Sequence, residues 1–186
     1  MAKKAAAPAP RRLIVAVTGA SGAIFGIRTL ELLRKQAVET HLIVSPSALR
    51  TIEEETDRSV AQVRKLASVV HSYKDIGASM SSGSFRTLGM LVAPCSVKTL
   101  SGIANSYDDN LVVRAADVCL KERRRVVLLL RETPLHLGHI ELIERATRYG
   151  ATVMPPVPDF ARQPKTIADI VEQAVTRALG EFGLAR

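Results

Sequence analysis

The sequence predicts an α/β chain folded as a doubly wound three-layer sandwich around a mostly parallel sheet. Three observations carry that prediction. Short aliphatic runs alternate with longer segments of helical periodicity along almost the whole chain. Those runs are apolar at nearly every position, the pattern of strands covered on both faces by helices. Turns rich in glycine or hydroxyl residues follow several of them, as in Rossmann-like folds, whose ligands lie beyond the carboxyl ends of the strands.

Residues 13–17, LIVAV, read as the first strand, and 23–35 as an amphipathic helix entered through a glycine-rich turn. A second strand is expected at 41–44, then a helix at 47–55 that ends in a charged patch. Residues 59–67 predict another helix and 69–71 a short strand. The buried run 88–93 is a strand, followed by helical segments at 99–104 and 111–121. Residues 126–130, VVLLL, make the most apolar strand, and helices at 136–149 and 166–182 flank a short strand at 152–154. No internal repeat interrupts the pattern.

A chain of 186 residues fits one domain, placed at 12–186 behind a basic tail at 1–11. Hydrophobic residues make up 47% and aromatics only 4%, so the core must be aliphatic. No apolar run approaches the roughly 18 residues that span a bilayer, and the first dozen lack the apolar centre of a secretory signal. No membrane partner is expected. Cys95 and Cys119 are too few for a disulfide framework, which favours a reducing, cytoplasmic location. The formal charge of +8 includes Lys3, Lys4, Arg11 and Arg12, and a second cluster spans 121–125. Neither comes with an RNA-binding aromatic signature, zinc-finger spacing or a long basic helix. A basic pocket for a phosphorylated small molecule is the better reading than a nucleic-acid surface.

The turn TGASGAIFG, 18–26, spaces its glycines as G-x-x-G-x-x-x-G rather than G-x-G-x-x-G. It still suits a phosphate cradle: glycines admit an anion close to the backbone, helix N–H groups point outward, and Ser21 adds a hydroxyl. A tight structural turn is the competing reading. The second strand ends at Ser45-Pro46 with no carboxylate for an adenosine ribose, so a mononucleotide fits better than a dinucleotide. Cys95-Ser96-Val97-Lys98-Thr99 follows another buried strand, and the hydroxyl-rich loop 81–85 is expected at the same sheet edge. Arg131-Glu132 stands directly after the most apolar strand, where charges are costly unless paired or used. They make either a simple ion pair or a phosphate-binding arginine beside a proton-transferring carboxylate. Lys121 has an ordinary reading as a cation at a helix end. Cys95 is better read as a buried filler than a nucleophile, and His136 with His139 as surface or interface residues rather than metal ligands.

Together, TGASGAIFGIR, SSGSFRTLGMLVAPCSVKTLSGI, VRAADVCLKERRRVVLLLRETPLHLGH and GATVMPPVPDF resemble the UbiX-type flavin prenyltransferases, in the family's order and over about residues 12–182. The resemblance implies a metal-independent transfer of a dimethylallyl group from dimethylallyl monophosphate to N5 and C6 of reduced FMN. Its product, prenylated FMN, serves a UbiD-type decarboxylase. The resemblance further implies a homo-oligomer, a dodecamer with active sites where subunits meet. It assigns FMN to Gly19, Ala20, Ser21, Ser45, Ser96, Val97, Lys98, Thr99 and Arg131. It surrounds the dimethylallyl phosphate with Ser82, Gly83, Lys121 and Arg177, and Ala161 stands at a further substrate position. Glu132 would exchange protons with the leaving phosphate or flavin N5, assisted by Ser21; Lys121, Glu55 and Arg114 match further polar positions of the site. The absence of a DDxxD motif agrees with cationic side chains, rather than a metal, stabilising the departing phosphate.

The chain departs from the family pattern at Ala161, where a tyrosine ordinarily covers the dimethylallyl phosphate. Loss of that ring and hydroxyl would cost about 1–3 kcal/mol of binding. Phe25 and Pro46 also replace a frequent tyrosine and lysine. Ala161 therefore motivates an alternative, a non-catalytic or weakly active FMN-binding or delivery protein, unless Arg162 compensates.

Overall fold

The computed structural model describes residues 11–184. Residues 1–10 of the expected basic tail lie outside the described residues. The chain runs β1 (Arg12–Val17), α1 (Ala23–Lys35), β2 (Glu39–Val44), α2 (Pro46–Glu55), α3 (Val60–Arg64), β3 (Val69–His71), β4 (Gly89–Cys95), α4 (Val97–Ala104), α5 (Leu111–Lys121), β5 (Arg125–Leu130), α6 (Leu137–Arg148), β6 (Ala151–Val153) and α7 (Ile167–Gly180). The strands form one sheet in the order β3-β2-β1-β4-β5-β6, and every pair is parallel. This is the doubly wound order, with its reversal of direction between β1 and β4.

Strand geometry divides the aliphatic runs between two cores, because successive side chains point to opposite faces. In β1, Leu13, Val15 and Val17 pack with α1, α2 and α7 on one face. Ile14 and Ala16 pack with α4, α5 and α6 on the other. Gly26 permits the closest approach: an added Cβ would lie 2.6 Å from Val17 and overlap the Ala93 carbonyl. Among the described residues no helix is long and apolar enough to cross a membrane.

Differences from the expected boundaries have local causes. β2 begins two residues early because Glu39 pairs with Arg12 and Thr40 with Ser68, polar partners invisible to a hydrophobic pattern. α4 starts at Val97 because Ser96 caps it, its Oγ accepting from Thr99 N at 3.3 Å. Helix 59–67 is only Val60–Arg64. β4 continues through Pro94 to Cys95, its register with β5 shifting between Val92 and Cys95, and Pro94 keeps a sheet contact through its carbonyl, which accepts from Thr18 N at 3.2 Å. Single-turn 3-10 segments at Ser79–Ser81 and Phe160–Arg162 were not expected.

A polar chain crosses the first three strands. Arg12 Nε donates to Glu39 Oε1 at 2.8 Å, His41 Nε2 lies 2.8 Å from the same oxygen, and His41 Nδ1 lies 2.9 Å from His71 Nε2. Burial, then the neighbouring His41, holds His71 below its ordinary value of 6.5. Below pH 6.5 the unfolded chain therefore takes a proton that the folded chain refuses, and stability falls as pH drops. Melting temperature should decline between pH 7.5 and 5, with a shallower slope in His71→Gln; equal slopes would contradict this reading.

Candidate active site

The loops after β1, β2, β4 and β5 meet at the carboxyl edge of the sheet, around the reversal between β1 and β4. Thr18, buried at 1% exposure, opens the first loop. Its N and Oγ1 donate to Pro94 O at 3.2 and 2.8 Å, and its Oγ1 accepts from Ser96 N at 2.9 Å. No hydrophobic pattern singles out this threonine, because its partners lie 76 and 78 residues away.

Gly19 packs so closely on the first turn of α2 that an added Cβ would overlap that of Ser47. Ala20 is buried and Ser21 exposed. Gly22 caps α1 in the left-handed region at φ 103°, where glycine carries no steric penalty. The orphan N–H groups of Gly22 and Ala23 do not point at empty space, however. Both donate to Glu55 Oε2, at 2.7 and 3.1 Å. This corrects the expected phosphate cradle: a carboxylate already complements the positive end of α1 and would repel a phosphate there. The carboxylate comes from the end of α2, too far along the chain for the glycine spacing to show.

The other two helix starts remain open. Ser45 Oγ is committed to Ala48 N at 3.3 Å, and Ser96 Oγ to Thr99 N and Thr99 Oγ1. These hydroxyls cap helices and leave the first-turn N–H groups of Ser47, Val97 and Lys98 without intrahelical partners. Lys98 is exposed and lines a recess of about 370 Å³ with Thr99, Tyr73 and Tyr107.

Arg131 and Glu132 are both exposed at the mouth of β5. Arg131 N donates to Cys95 O at 3.0 Å, and Glu132 Oε1 accepts from Thr133 N at 2.9 Å. Among the described residues they do not pair with each other, so the simple ion-pair reading fails. Arg177 and Arg162 line a recess of about 460 Å³ with Met154, Pro155 and Asp159. Ala161 sits beside it on an exposed 3-10 turn, its N donating to Asp159 Oδ1 at 3.2 Å.

Loop 81–85 does not share this edge. A chain leaving β3 must return to the opposite end of a parallel sheet before β4 can start, and this loop lies at the end of that return. Leu88 N donates to Arg12 O at 2.8 Å, beside the first residues of β1 and β4. Lys121 ends α5 at the same amino edge, four positions before β5 begins. There an added Cβ on Gly83 would overlap Glu122 and lie 3.2 Å from Lys121 Nζ. Lys121 Nζ donates to Glu122 Oε1 at 2.7 Å, and Arg124 grips the Phe85 and Gly83 carbonyls at 2.6 Å each. Ser82 Oγ lies 2.9 Å from Ser84 Oγ. Arg114 bridges Asp108 at 2.9 Å and Ser81 O at 3.2 Å. Within one copy Ser82, Gly83 and Lys121 thus lie at the edge opposite to Arg131 and Glu132, while Arg114 stands near the start of α5, whose Leu111 N donates to Tyr73 O just after β3.

Cys95 is fully buried and its thiol is pushed up by desolvation; burial takes Cys119 to about 12. Neither supplies a thiolate near neutral pH. The His136 and His139 rings lie 3.6 Å apart, and His136 Nδ1 accepts from Gly138 N. Among the described residues no three potential metal ligands cluster.

The family model described as Flavoprotein matches residues 2–179. The flavin prenyltransferase UbiX of Thauera aromatica is 57% identical over 173 residues, 93% of this chain and 89% of the relative. The crystal structure of AnUbiX (PadA1) in complex with FMN and dimethylallyl pyrophosphate superposes with a TM-score of 0.92 at 48% identity, covering 96% of this chain and 97% of the other. A dodecameric FMN-dependent UbiX-like decarboxylase from Escherichia coli O157:H7 matches at 0.92 and 49% identity, covering 94% and 95%. With a family model over nearly the whole chain and identity at this level across it, the chain belongs to the UbiX family of flavin prenyltransferases.

Proposed function

We propose that this chain is a flavin prenyltransferase that moves a dimethylallyl group from dimethylallyl monophosphate to reduced FMN, as a homo-oligomer and without a metal. Prenylated FMN, the product, passes to a UbiD-type decarboxylase. The observation that carries this reading is the strand order itself: its reversal between β1 and β4 is where a doubly wound sheet leaves its crevice, and the starts of α2 and α4, Lys98 and Arg131 all follow strands at that carboxyl edge. That donor set fits a phosphorylated flavin: N–H groups and cations for the phosphate, and a close Gly19–Ser47 approach that shapes the cradle.

In this reading FMN is held from Gly19 to Ser21, at Ser45 and from Ser96 to Thr99, with its phosphate at the starts of α2 and α4 and its ring toward Ser21. When bound, reduced FMN supplies the electron-rich N5 and C6 to which the allylic carbons become attached as phosphate leaves. The chain's residues bind, orient and move protons around that exchange. Arg131 holds the cofactor or the departing phosphate as a guanidinium, a planar donor fork matched to phosphate oxygens. Glu132 exchanges a proton at a phosphate oxygen. Ser21 and Glu55 stand together at the start of α1 and supply the hydroxyl and carboxylate that handle the proton on N5, Glu55 being fixed by two N–H donors. Arg177, with Arg162 in the same recess, holds the dimethylallyl phosphate.

Ser82, Gly83 and Lys121 belong to the site through assembly: the amino edge of one copy completes the carboxyl edge of another, and Arg114 supports that group by holding Ser81 O. A cytoplasmic location accords with two unpaired, buried cysteines. The catalytic unit comprises residues 12–186.

The experiment is an anaerobic incubation with reduced FMN and dimethylallyl monophosphate, read by mass spectrometry for a flavin heavier by one C5 unit. Protein that binds FMN but yields no adduct refutes the enzyme reading. Ala161→Tyr, measured in parallel, should raise turnover at low dimethylallyl phosphate by about 5- to 100-fold, the equivalent of one restored hydrogen bond and its packing. No change would remove Ala161 from the site.

A further inference from the structure

We infer that Thr18 is a positioning residue for the flavin crevice: its one hydroxyl sets the spacing between the turn after β1 and the start of α4, between which FMN lies. The inference rests on the flavin reading above.

β4 creates the need for such a group. Pro94 has no N–H, and its carbonyl faces the end of β1, on the side opposite to Cys95 O, which accepts from Arg131 N. Thr18 takes that carbonyl twice, through N at 3.2 Å and Oγ1 at 2.8 Å. The same Oγ1 accepts from Ser96 N at 2.9 Å. Only a hydroxyl both donates and accepts from a single atom at this size, so valine, of the same shape, does neither.

The bonds run on into the binding elements in both directions. Ser96 Oγ accepts from Thr99 N at 3.3 Å and fixes the first turn of α4, where the N–H groups of Val97 and Lys98 have no intrahelical partner. Thr18 O accepts from Ala20 N at 2.9 Å and shapes the turn that carries Gly19, Ala20 and Ser21. Thr18 is itself 1% exposed, so it acts on a ligand only through these two loops. A group that merely held the fold together would lower the melting temperature without altering the affinity of the folded protein.

The test is FMN titration of full-length wild type, Thr18→Val, Thr18→Ser and Thr18→Cys by flavin fluorescence, with melting curves of each in the absence of flavin. Folded Thr18→Val should bind FMN about 5- to 100-fold more weakly, the size of effect expected when a buried hydrogen-bond partner is removed and its neighbours shift to compensate. Thr18→Ser should recover affinity to within about threefold, because it keeps the donating and accepting oxygen. If the valine protein does not fold, the serine–cysteine comparison decides, since a thiol is a weak donor and acceptor: cysteine weaker than serine supports the role. Equal affinity across the folded variants overturns it, even if melting temperatures differ. Absence of FMN uptake by wild type overturns the flavin reading and this role with it.

Discussion

Glu132→Gln should transfer prenyl groups about 10²- to 10⁴-fold more slowly than wild type, the usual contribution of a positioned acid–base group. Its affinity for FMN should stay nearly unchanged. The side chain is exposed at the end of β5, and its Oε1 is steadied by Thr133 N at 2.9 Å. Glutamine keeps the size and the accepting oxygen and loses only the ability to carry a proton. The adjacent backbone is tied independently, because Arg131 N donates to Cys95 O. Structure and proton transfer are therefore separable in this variant. Single-turnover rates under anaerobic conditions, with FMN binding measured alongside, make the check. A glutamine variant as fast as wild type would move the proton transfer to Glu55, the carboxylate fixed at the start of α1.

The second large effect concerns the two groups of residues at opposite edges. Lys121→Ala and Arg131→Ala should each lower activity by about 10²- to 10³-fold, the size expected when a cation that stabilises a developing anion is lost. Mixed and reassembled together, the two inactive proteins should regain about a quarter of wild-type activity. In random equal mixing that is the share of sites drawing an intact Arg131 from one copy and an intact Lys121 from another. Within a copy, Lys121 is at the amino edge beside Gly83, and Arg131 is at the carboxyl edge beside Cys95. A mixture that co-assembles yet stays inactive would show that the amino-edge group has no part in the site.

The same two-edge arrangement marks where the sequence is readable and where it is not. Each strand is an aliphatic run, and alternation within 13–17 already assigns Leu13 and Ile14 to different faces. Ser45, Ser96 and Thr166 cap their helices, yet the periodicity places the start of α4 two residues late, at 99, because Ser96 and Lys98 read as loop donors. The doubly wound order follows from those elements, since parallel strands need long crossovers. What stayed hidden depends on contacts between distant segments. Glu55 occupies the α1 terminus from 33 residues away, so the glycine turn looked like an open anion site. Loop 81–85 resembled the other hydroxyl-rich turns in composition, and only its position ahead of β4 puts it at the other edge. Thr18 is a small polar residue at the end of an apolar run, unremarkable until Pro94 and Ser96 are beside it. The candidate residues themselves came chiefly from the family motifs, and the chain's own physics explains why Arg131 and Glu132 are exposed after five buried strand residues.

The central claim is that the carboxyl edge at the β1/β4 reversal holds one flavin nucleotide. A crystal structure of the full chain grown with FMN tests it most directly. The account predicts flavin density in that crevice, its phosphate at the starts of α2 and α4, its ring within contact of Ser21, and Arg131 on the nucleotide or on an added phosphate. Density on another face, or a phosphate seated on the α1 terminus with Glu55 displaced, would contradict it.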